Sequence, residues 1–229
     1  MNYKILVVDE NSDQIEGFET FLDNIKQQGL TDKTFEVFGL TSISDEGELF
    51  QFIISNEIDC VAFDYKLMEN NSSFSQQGDV FQMHLLEHFE EFPTFIITNN
   101  ADDYKLMKAD PFKIISKAII NFNSDNKDEV NQAIKTINNI SQLIDRYKEN
   151  LKSNEDAFFE LTDRQSKGEK LNDKDLARLV DLDTKLESSI SKKSKLPKDW
   201  KSPADIDNLT KLVSETEGIL NELKKLKND

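Results

Sequence analysis

The sequence predicts an α/β protein in which a five-stranded, doubly wound parallel sheet is followed by a helical region. One observation behind this prediction is a series of short apolar runs that each end abruptly on a polar residue. A second is that amphipathic segments separate the runs, so strand and helix alternate along the chain. The third is a change near residue 128, after which the apolar residues follow helical spacing. Alternating strands and helices form parallel sheets, because right-handed crossovers return each helix to the sheet.

Polar residues lie directly after four of the five predicted strands. Apolar runs at residues 5–8, 61–63, 95–97 and 114–115 lead into Asp9-Glu10, Asp64, Thr98 and, after one serine, Lys117. The remaining strand is predicted at residues 34–38. Because the carboxyl ends of parallel strands meet at one edge of a sheet, three carboxylates, a hydroxyl and an ammonium group are expected in one crevice.

Helical spacing places the helices of the first region at residues 13–28, 44–55 and 80–89, and Gly29 is expected to end the first of them. The side chains predicted to face the sheet are Ile15, Phe18, Phe21, Leu22, Ile25, Leu49, Phe52, Ile53, Phe81, Leu85 and Leu86. These helices supply the two outer layers of a doubly wound sheet.

The polar residues at the strand ends resemble, in type and order, those of the receiver domain of two-component response regulators, over about residues 1–140. The resemblance implies a flavodoxin-like fold in which Asp9, Glu10 and Asp64 hold Mg²⁺ and Asp64 accepts a phosphoryl group. It also implies that Thr98 is the switch hydroxyl and that Lys117 binds the phosphoryl oxygens. Independently, three negative charges in one crevice are unfavourable without a cation, and oxygen-only ligands suit Mg²⁺.

Two further positions are implicated by the same resemblance in the lifetime of the phosphoryl group. They are Lys66, two residues beyond the phosphoacceptor, and Asn100, two residues beyond the switch hydroxyl. A lysine there would screen the phosphoryl group from attacking water, which predicts a long-lived phosphorylated form.

Several positions depart from the family's pattern. Ala118 follows the lysine where the family usually has proline, and Ile114 stands where it has a switch aromatic. Asn99 replaces a small residue, and Met68 replaces the usual proline in a lengthened loop after the phosphoacceptor. These departures leave the phosphorylation chemistry in place and alter the standard read-out, so we expect the signal to leave through a modified surface.

The second region is predicted to be entirely helical, which divides the chain into a receiver domain at residues 1–145 and a helical output domain at 146–229. A helix from about residue 128 to 152, capped by Ser124 or Asn126, continues outward as a connector. A short helix at 155–166 and another capped by Asp173 follow. The apolar residues predicted to line these three helices are Ile137, Ile140, Ile144, Tyr147, Leu151, Phe158, Phe159, Leu161, Leu176, Leu179, Val180, Leu186 and Ile190.

The last part of the chain contains a lysine-rich linker, residues 191–203, and then a final apolar seam. Ser202 and Pro203 are a typical helix start. Leucine, isoleucine and threonine residues at 209, 212, 216, 219, 223 and 226 then repeat at three- and four-residue intervals. The seam predicts either a helix that packs on its own chain or a coiled coil that joins two copies as a homodimer.

Composition limits the classes of function. Residues 1–127 carry 9 basic and 23 acidic side chains and residues 128–229 carry 19 and 21, so neither region has the basic excess of a nucleic-acid binder. The single cysteine, Cys60, excludes an internal disulfide and is expected to be a buried apolar residue. No apolar run approaches the length of a membrane span. Together with these limits, the receiver resemblance implies a cytoplasmic phosphorelay protein whose partners are a histidine kinase or phosphotransferase and a protein target, with no separate enzyme domain.

Three alternatives remain open at this stage: a pseudo-receiver, a DNA-binding regulator, and an adaptor or phosphate store that only the neighbouring genes would distinguish from the phosphorelay protein. A pseudo-receiver would keep the fold as a binding or adaptor module without phosphorylation. A DNA-binding regulator would use the lysine-rich linker, with Trp200 available for stacking. The run His84-Leu85-Leu86-Glu87-His88 matches a zinc-peptidase pattern, although the sequence indicates no third protein ligand.

Overall fold

The computed structural model describes residues 2–68, 74–99, 113–122 and 124–190. The chain divides into two compact units, Met1–Asn150 and Leu151–Asp229. The elements in chain order are β1 (Asn2–Val8), α1 (Ser12–Gln27), β2 (Thr34–Leu40), α2 (Glu46–Ser55), β3 (Cys60–Asp64), α3 (Gly78–His88), β4 (Thr94–Thr98), β5 (Ile114–Ser116), a 3₁₀ helix (Lys117–Asn121), α4 (Lys127–Ser166) and α5 (Asp173–Ile190).

The five strands form one sheet in the order β2-β1-β3-β4-β5, and every neighbouring pair is parallel. This is the flavodoxin-like, doubly wound order, in which the strand sequence reverses direction between β1 and β3. The predicted fold class is therefore confirmed, including the helices that follow the sheet. In an open sheet of this kind the crevice for a ligand lies beyond the carboxyl ends of the strands at that reversal.

Side chains of each central strand alternate between two apolar layers, as the pleat requires. In β1, Ile5 and Val7 face a layer with α1 and α4, whereas Leu6 and Val8 face a layer with α2 and α3. Both faces of the sheet are covered, so side chains that point to either face are buried, and these strands are apolar at successive positions. Cys60, at the start of β3, is a buried free thiol in the first layer, as predicted.

The helices of the first unit lie within one or two residues of their predicted limits at most ends. Gly29, just after α1, has a φ of 67°, a left-handed conformation that glycine adopts without strain. The residues predicted to face the sheet are buried or half-buried: Ile15, Phe18, Phe21, Leu22, Ile25, Leu49, Phe52, Ile53, Phe81, Leu85 and Leu86.

Helix α4 differs from the prediction because it is one continuous helix of 40 residues, not two helices separated near residue 153. No glycine or proline lies between Lys127 and Ser166, and the serine and asparagine at 153 and 154 only weakly disfavour helix. Asn126, one of the two predicted caps, accepts a hydrogen bond from the Asp128 amide at 3.1 Å.

The described part of the second unit is a pair of packed helices, the end of α4 and α5. Its buried residues are Leu161, Leu171, Leu179 and Leu182, with Ala157, Phe158 and Leu176 packed against them. The cap of α5 is Asn172, which accepts hydrogen bonds from the amides of Lys174 and Asp175, so the predicted cap at Asp173 was wrong by one residue. The lysine-rich linker and the final seam lie outside the described residues. No helix in the described ranges is both long and apolar enough to cross a bilayer.

Candidate functional site

The register of the sheet brings the polar strand ends together. Val8 of β1 pairs with Phe63 of β3, so the residues that follow, Asp9 and Asp64, lie at the same level on neighbouring strands. Asp64 in turn pairs with Ile97, the residue before Thr98. Residues 55 positions apart in the chain therefore share one edge of the sheet, and no local pattern specifies that contact.

Lys117 bridges the two aspartates. Its ammonium group donates to Asp9 Oδ2 at 2.7 Å and forms an ion pair with Asp64 Oδ1 at 2.8 Å, and all three side chains are buried. The strand end and a short helix fix the lysine in place, because Ser116 caps the 3₁₀ helix by accepting a hydrogen bond from the Ala118 amide. The peptide bond after Lys117 is trans.

The remaining oxygen of each aspartate accepts a backbone hydrogen bond. Asp9 Oδ1 accepts from the Asn11 amide at 2.9 Å, and Asp64 Oδ2 accepts from the Lys66 amide at 3.1 Å. Each carboxylate is thus held by one amide and one ammonium group. Such fixed orientation is what a site needs if a carboxylate oxygen is to meet an incoming group at a defined angle.

Glu10 completes a group of three carboxylates. Ligand atoms of Asp9, Glu10 and Asp64 all lie within 4.8 Å of one another. With Lys117 the four side chains carry two more negative than positive charges when all are ionised, which suits a divalent cation. Oxygens on opposite sides of Mg²⁺ are about 4 Å apart, so small side-chain rotations would bring all three carboxylates onto one ion. The donor set therefore fits the metal that the sequence predicts.

The ionised form of Asp64 is poorly stabilised without such a cation. Burial is the largest of the influences that together raise the pKa of its carboxyl group from 3.8 to about 6; the hydrogen bond and charge of Lys117 lower the pKa, and the negative charges of Asp9 and Glu10 raise it. For Lys117, burial lowers the pKa, but the hydrogen bonds and charges of Asp64 and Asp9 outweigh burial and raise it. The site therefore favours the charged form of Lys117 and disfavours the charged form of Asp64.

The other predicted site residues are partly described. Thr98 is the buried last residue of β4 and pairs with Ser116, the residue before Lys117. Lys66 is half-buried and reaches Asp64 through its backbone amide. Asn100 lies outside the described residues. The structure therefore gathers Asp9, Glu10, Asp64 and Lys117, and it puts Thr98 at the same edge of the sheet.

Two residues that support the site were not singled out from the sequence. A Cβ atom on Gly78 would lie 1.9 Å from the backbone oxygen of Asp64, so only glycine allows α3 to begin this close to the end of β3. Asn11 caps α1 by accepting a hydrogen bond from the Asp13 amide, and its own amide holds Asp9. An asparagine just before a helical pattern is a recognisable cap, whereas nothing local marks Gly78.

The histidine pair on α3 does not gather a third ligand in the described ranges. Nδ1 of His84 contacts the carboxylate of Glu46, and Nδ1 of His88 donates to the backbone oxygen of His84 at 2.9 Å. The group of three potential ligands found among the described residues is the carboxylate cluster at the sheet edge. His84 therefore links α3 to α2 through Glu46, and His88 bonds within α3. This geometry gives no support to zinc chemistry.

No protein-family model and no curated protein sequence matches the chain. Among solved structures it is similar to the anti-anti-sigma factor PhyR from Bartonella quintana, with 12% sequence identity and a TM-score of 0.40. The matched region covers 67% of this chain and 51% of that one, so it spans about half the length of PhyR. The fold class rests on the strand order and the site on its own geometry.

Proposed function

We propose that the first unit is a receiver-type phosphoacceptor, in which Asp64 accepts a phosphoryl group in a Mg²⁺-dependent reaction. The observation that carries the proposal is the convergence of Asp9, Glu10 and Asp64 with the ammonium group of Lys117 at the carboxyl edge of the sheet. A phosphoacceptor needs these components: a nucleophilic carboxylate, ligands for a divalent ion and a fixed cation for the phosphoryl oxygens.

The transfer would proceed through one carboxylate oxygen of Asp64. That oxygen attacks the phosphorus atom of a phosphohistidine on a kinase or phosphotransferase, and the bond from phosphorus to the histidine nitrogen breaks as the new bond forms. Mg²⁺ held by Asp9, Glu10 and Asp64 would supply positive charge to the phosphoryl oxygens. Lys117, already 2.8 Å from Asp64, would exchange this carboxylate for a phosphoryl oxygen. The protein is then a substrate of its kinase and needs no enzyme domain of its own.

Two further roles belong to the same proposal. The hydroxyl of Thr98 would donate a hydrogen bond to the phosphoryl group, which would draw the end of β4 toward Asp64. Lys66, whose amide already holds Asp64, would bring its side chain near the phosphoryl group and slow attack by water. The side chain of Asn100 would act on the same lifetime.

The output would be a change in protein binding. Helix α4 packs on the sheet through Ala133, Ile137, Ile140 and Ile144 and continues unbroken to Ser166 in the second unit. Helix α4 therefore contributes residues to both units. We therefore assign the helical region to contacts with a protein target or another copy of the chain, in the cytoplasm where kinases act.

Phosphorylation is tested directly with a small phosphodonor. The purified protein is incubated with acetyl phosphate and Mg²⁺, and intact-mass spectrometry measures whether one phosphoryl group is added. The expected adduct is removed by hydroxylamine, is absent without Mg²⁺ and is absent from Asp64→Asn. The exposed Asp23→Asn serves as the matched control and should be modified like the wild type. An adduct that persists in Asp64→Asn would contradict the assignment.

The pseudo-receiver is the second candidate, and it is favoured by the Lys117 contacts and by Ile114 in place of the family's switch aromatic. Lys117 bridges Asp9 and Asp64, so the protein itself supplies a cation that contacts both carboxylates in the absence of a phosphoryl group. Calorimetry with beryllofluoride and Mg²⁺, which mimic an aspartyl phosphate, separates the two. Binding by the wild type that is lost in Asp64→Asn supports the phosphoacceptor, and no binding by either supports the pseudo-receiver.

A further inference from the structure

The second unit exposes an aromatic side chain on the end of α4. Phe159 is 65% exposed, the highest value among the exposed large apolar side chains in the described ranges. Its ring contacts that of the half-buried Phe158 edge to face, at a centroid distance of 6.2 Å. The two rings together form an apolar patch that the described part of the chain leaves open on one side.

Carboxylates surround this patch. Residues 155–163 contain four acidic side chains and no basic one. Glu155, Asp156 and Asp163 lie three or four positions from Phe159 and therefore share its face of the helix, and Glu160 lies four positions from Asp156. We call Glu155, Asp156, Phe159, Glu160 and Asp163 the acidic Phe159 face; all five are exposed.

The charge on this face is largely uncompensated. In the described ranges, ion pairs of the second unit engage Asp163, Glu169, Asp175 and Asp181. None there engages Glu155, Asp156 or Glu160. Asp156 and Glu160 form a like-charge pair at i and i+4, which disfavours the helix unless a cation lies nearby. The face is thus complementary to a segment that combines positive charge with an apolar anchor, and two copies of the face would repel each other.

The same chain contains such a segment. Residues 192–201 carry five lysines, one aspartate, Leu196 and Trp200, the sole tryptophan. We propose that the lysine-rich segment 192–201 docks on the acidic Phe159 face of its own chain, with Trp200 as the apolar anchor. A tethered segment binds at a high effective concentration, so modest contacts are sufficient to hold it there.

The chain is long enough for this contact. Arg164 near the end of α4 forms ion pairs with Glu169 and Asp175, which fixes α5 beside α4, and the shared apolar cluster shows that α5 packs back along it. Helix α5 has 18 residues and is about 27 Å long. Phe159 lies about 10 Å before the end of α4. Because α5 runs back along α4, its last residue lies about 17 Å past the position of Phe159 along the helix axis. Ten extended residues span about 33 Å, which covers the return to Phe159.

Trp200 makes the proposal measurable in the full-length protein, because its fluorescence can be excited selectively. In the wild type we expect emission at short wavelength and slow quenching by acrylamide, both independent of protein concentration. Phe159→Ser, which alters an exposed side chain and leaves the core intact, should shift the emission to longer wavelength and increase quenching. The triple variant Glu155→Gln, Asp156→Asn, Glu160→Gln should do the same. Ile54→Ser, at a comparably exposed apolar site in the first unit, is the control and should leave both the emission wavelength and the quenching unchanged.

Three results would overturn the proposal. The first is solvent-like Trp200 emission in the wild type. The second is a protected Trp200 that responds neither to Phe159→Ser nor to the triple variant, which would place it elsewhere on the protein. The third is protection that disappears on dilution, which would make a second copy the occupant. None of these readouts involves phosphorylation, so the proposal stands or fails independently of the function proposed for Asp64.

Discussion

Replacement of Asp64 by asparagine should stabilise the metal-free protein, although it removes the residue proposed to carry its function. Burial and the neighbouring carboxylates raise the pKa of Asp64 from 3.8 to about 6 even with Lys117 in contact. Holding this group ionised at neutral pH therefore costs the folded state about 3 kcal/mol. Asparagine has nearly the same shape and carries no charge. The Asp64→Asn variant should thus gain up to about 3 kcal/mol in free energy of unfolding, a large fraction of the stability of an ordinary domain.

The sign of the pH dependence follows from the direction of the pKa change. A carboxyl group whose pKa is raised in the folded state loses its proton first in the unfolded state, so rising pH between 3.8 and about 6 destabilises the wild type. Below that window Asp64 is protonated in both states, and the two proteins should be equally stable. Above about pH 6 the difference in free energy of unfolding between the two proteins should reach its full value and then stay constant.

Urea denaturation in EDTA at pH 7.5, 5 and 4 measures this difference, because groups distant from Asp64 titrate alike in both proteins and cancel in the comparison. Added Mg²⁺ should stabilise the wild type more than the variant and so narrow the gap at pH 7.5. The exposed Asp23→Asn is the control and should change stability by less than about 0.5 kcal/mol. A variant that is less stable than the wild type at pH 7.5, or a gap that is the same at all three pH values, would refute the reasoning.

Three other perturbations test separate parts of the structure. Gly78→Ala places a Cβ 1.9 Å from the Asp64 backbone oxygen and should cost about 2 kcal/mol or more in urea denaturation, whereas a gain would show that α3 moves freely. Tyr3→Phe removes the 3.0 Å hydrogen bond to Asp145 that joins β1 to α4, and it should lower the free energy of unfolding by about 1.5 kcal/mol. An unchanged free energy of unfolding would show that this hydrogen bond contributes nothing. Burial raises the pKa of the fully buried Cys60 thiol, so Ellman's reagent should react with it only at the rate of unfolding, and rapid native-state labelling would be the contrary result.

The local pattern of the sequence was sufficient for the five strands and for helices α1, α2 and α3, although it did not predict the 3₁₀ helix Lys117–Asn121. Apolar runs with polar ends predict the strands, and residues at helical spacing predict α1, α2 and α3, because both signals depend only on near neighbours. The same local information failed at residues 153–154, where the prediction placed a break between two helices. Without a glycine or proline, the helix continues and α4 extends to Ser166.

The sequence by itself determined which chemical groups stand at the strand ends, and tertiary structure decided what those groups do to one another. The carboxylates of Asp9 and Asp64 meet only because β1 pairs with β3, and the Lys117 bridge requires β5 to close the far edge. The raised pKa of Asp64 and the need for glycine at 78 arise from the same packing. Burial and electrostatic interaction depend on distance in space, and residues more than 50 positions apart have no defined distance until the sheet has formed.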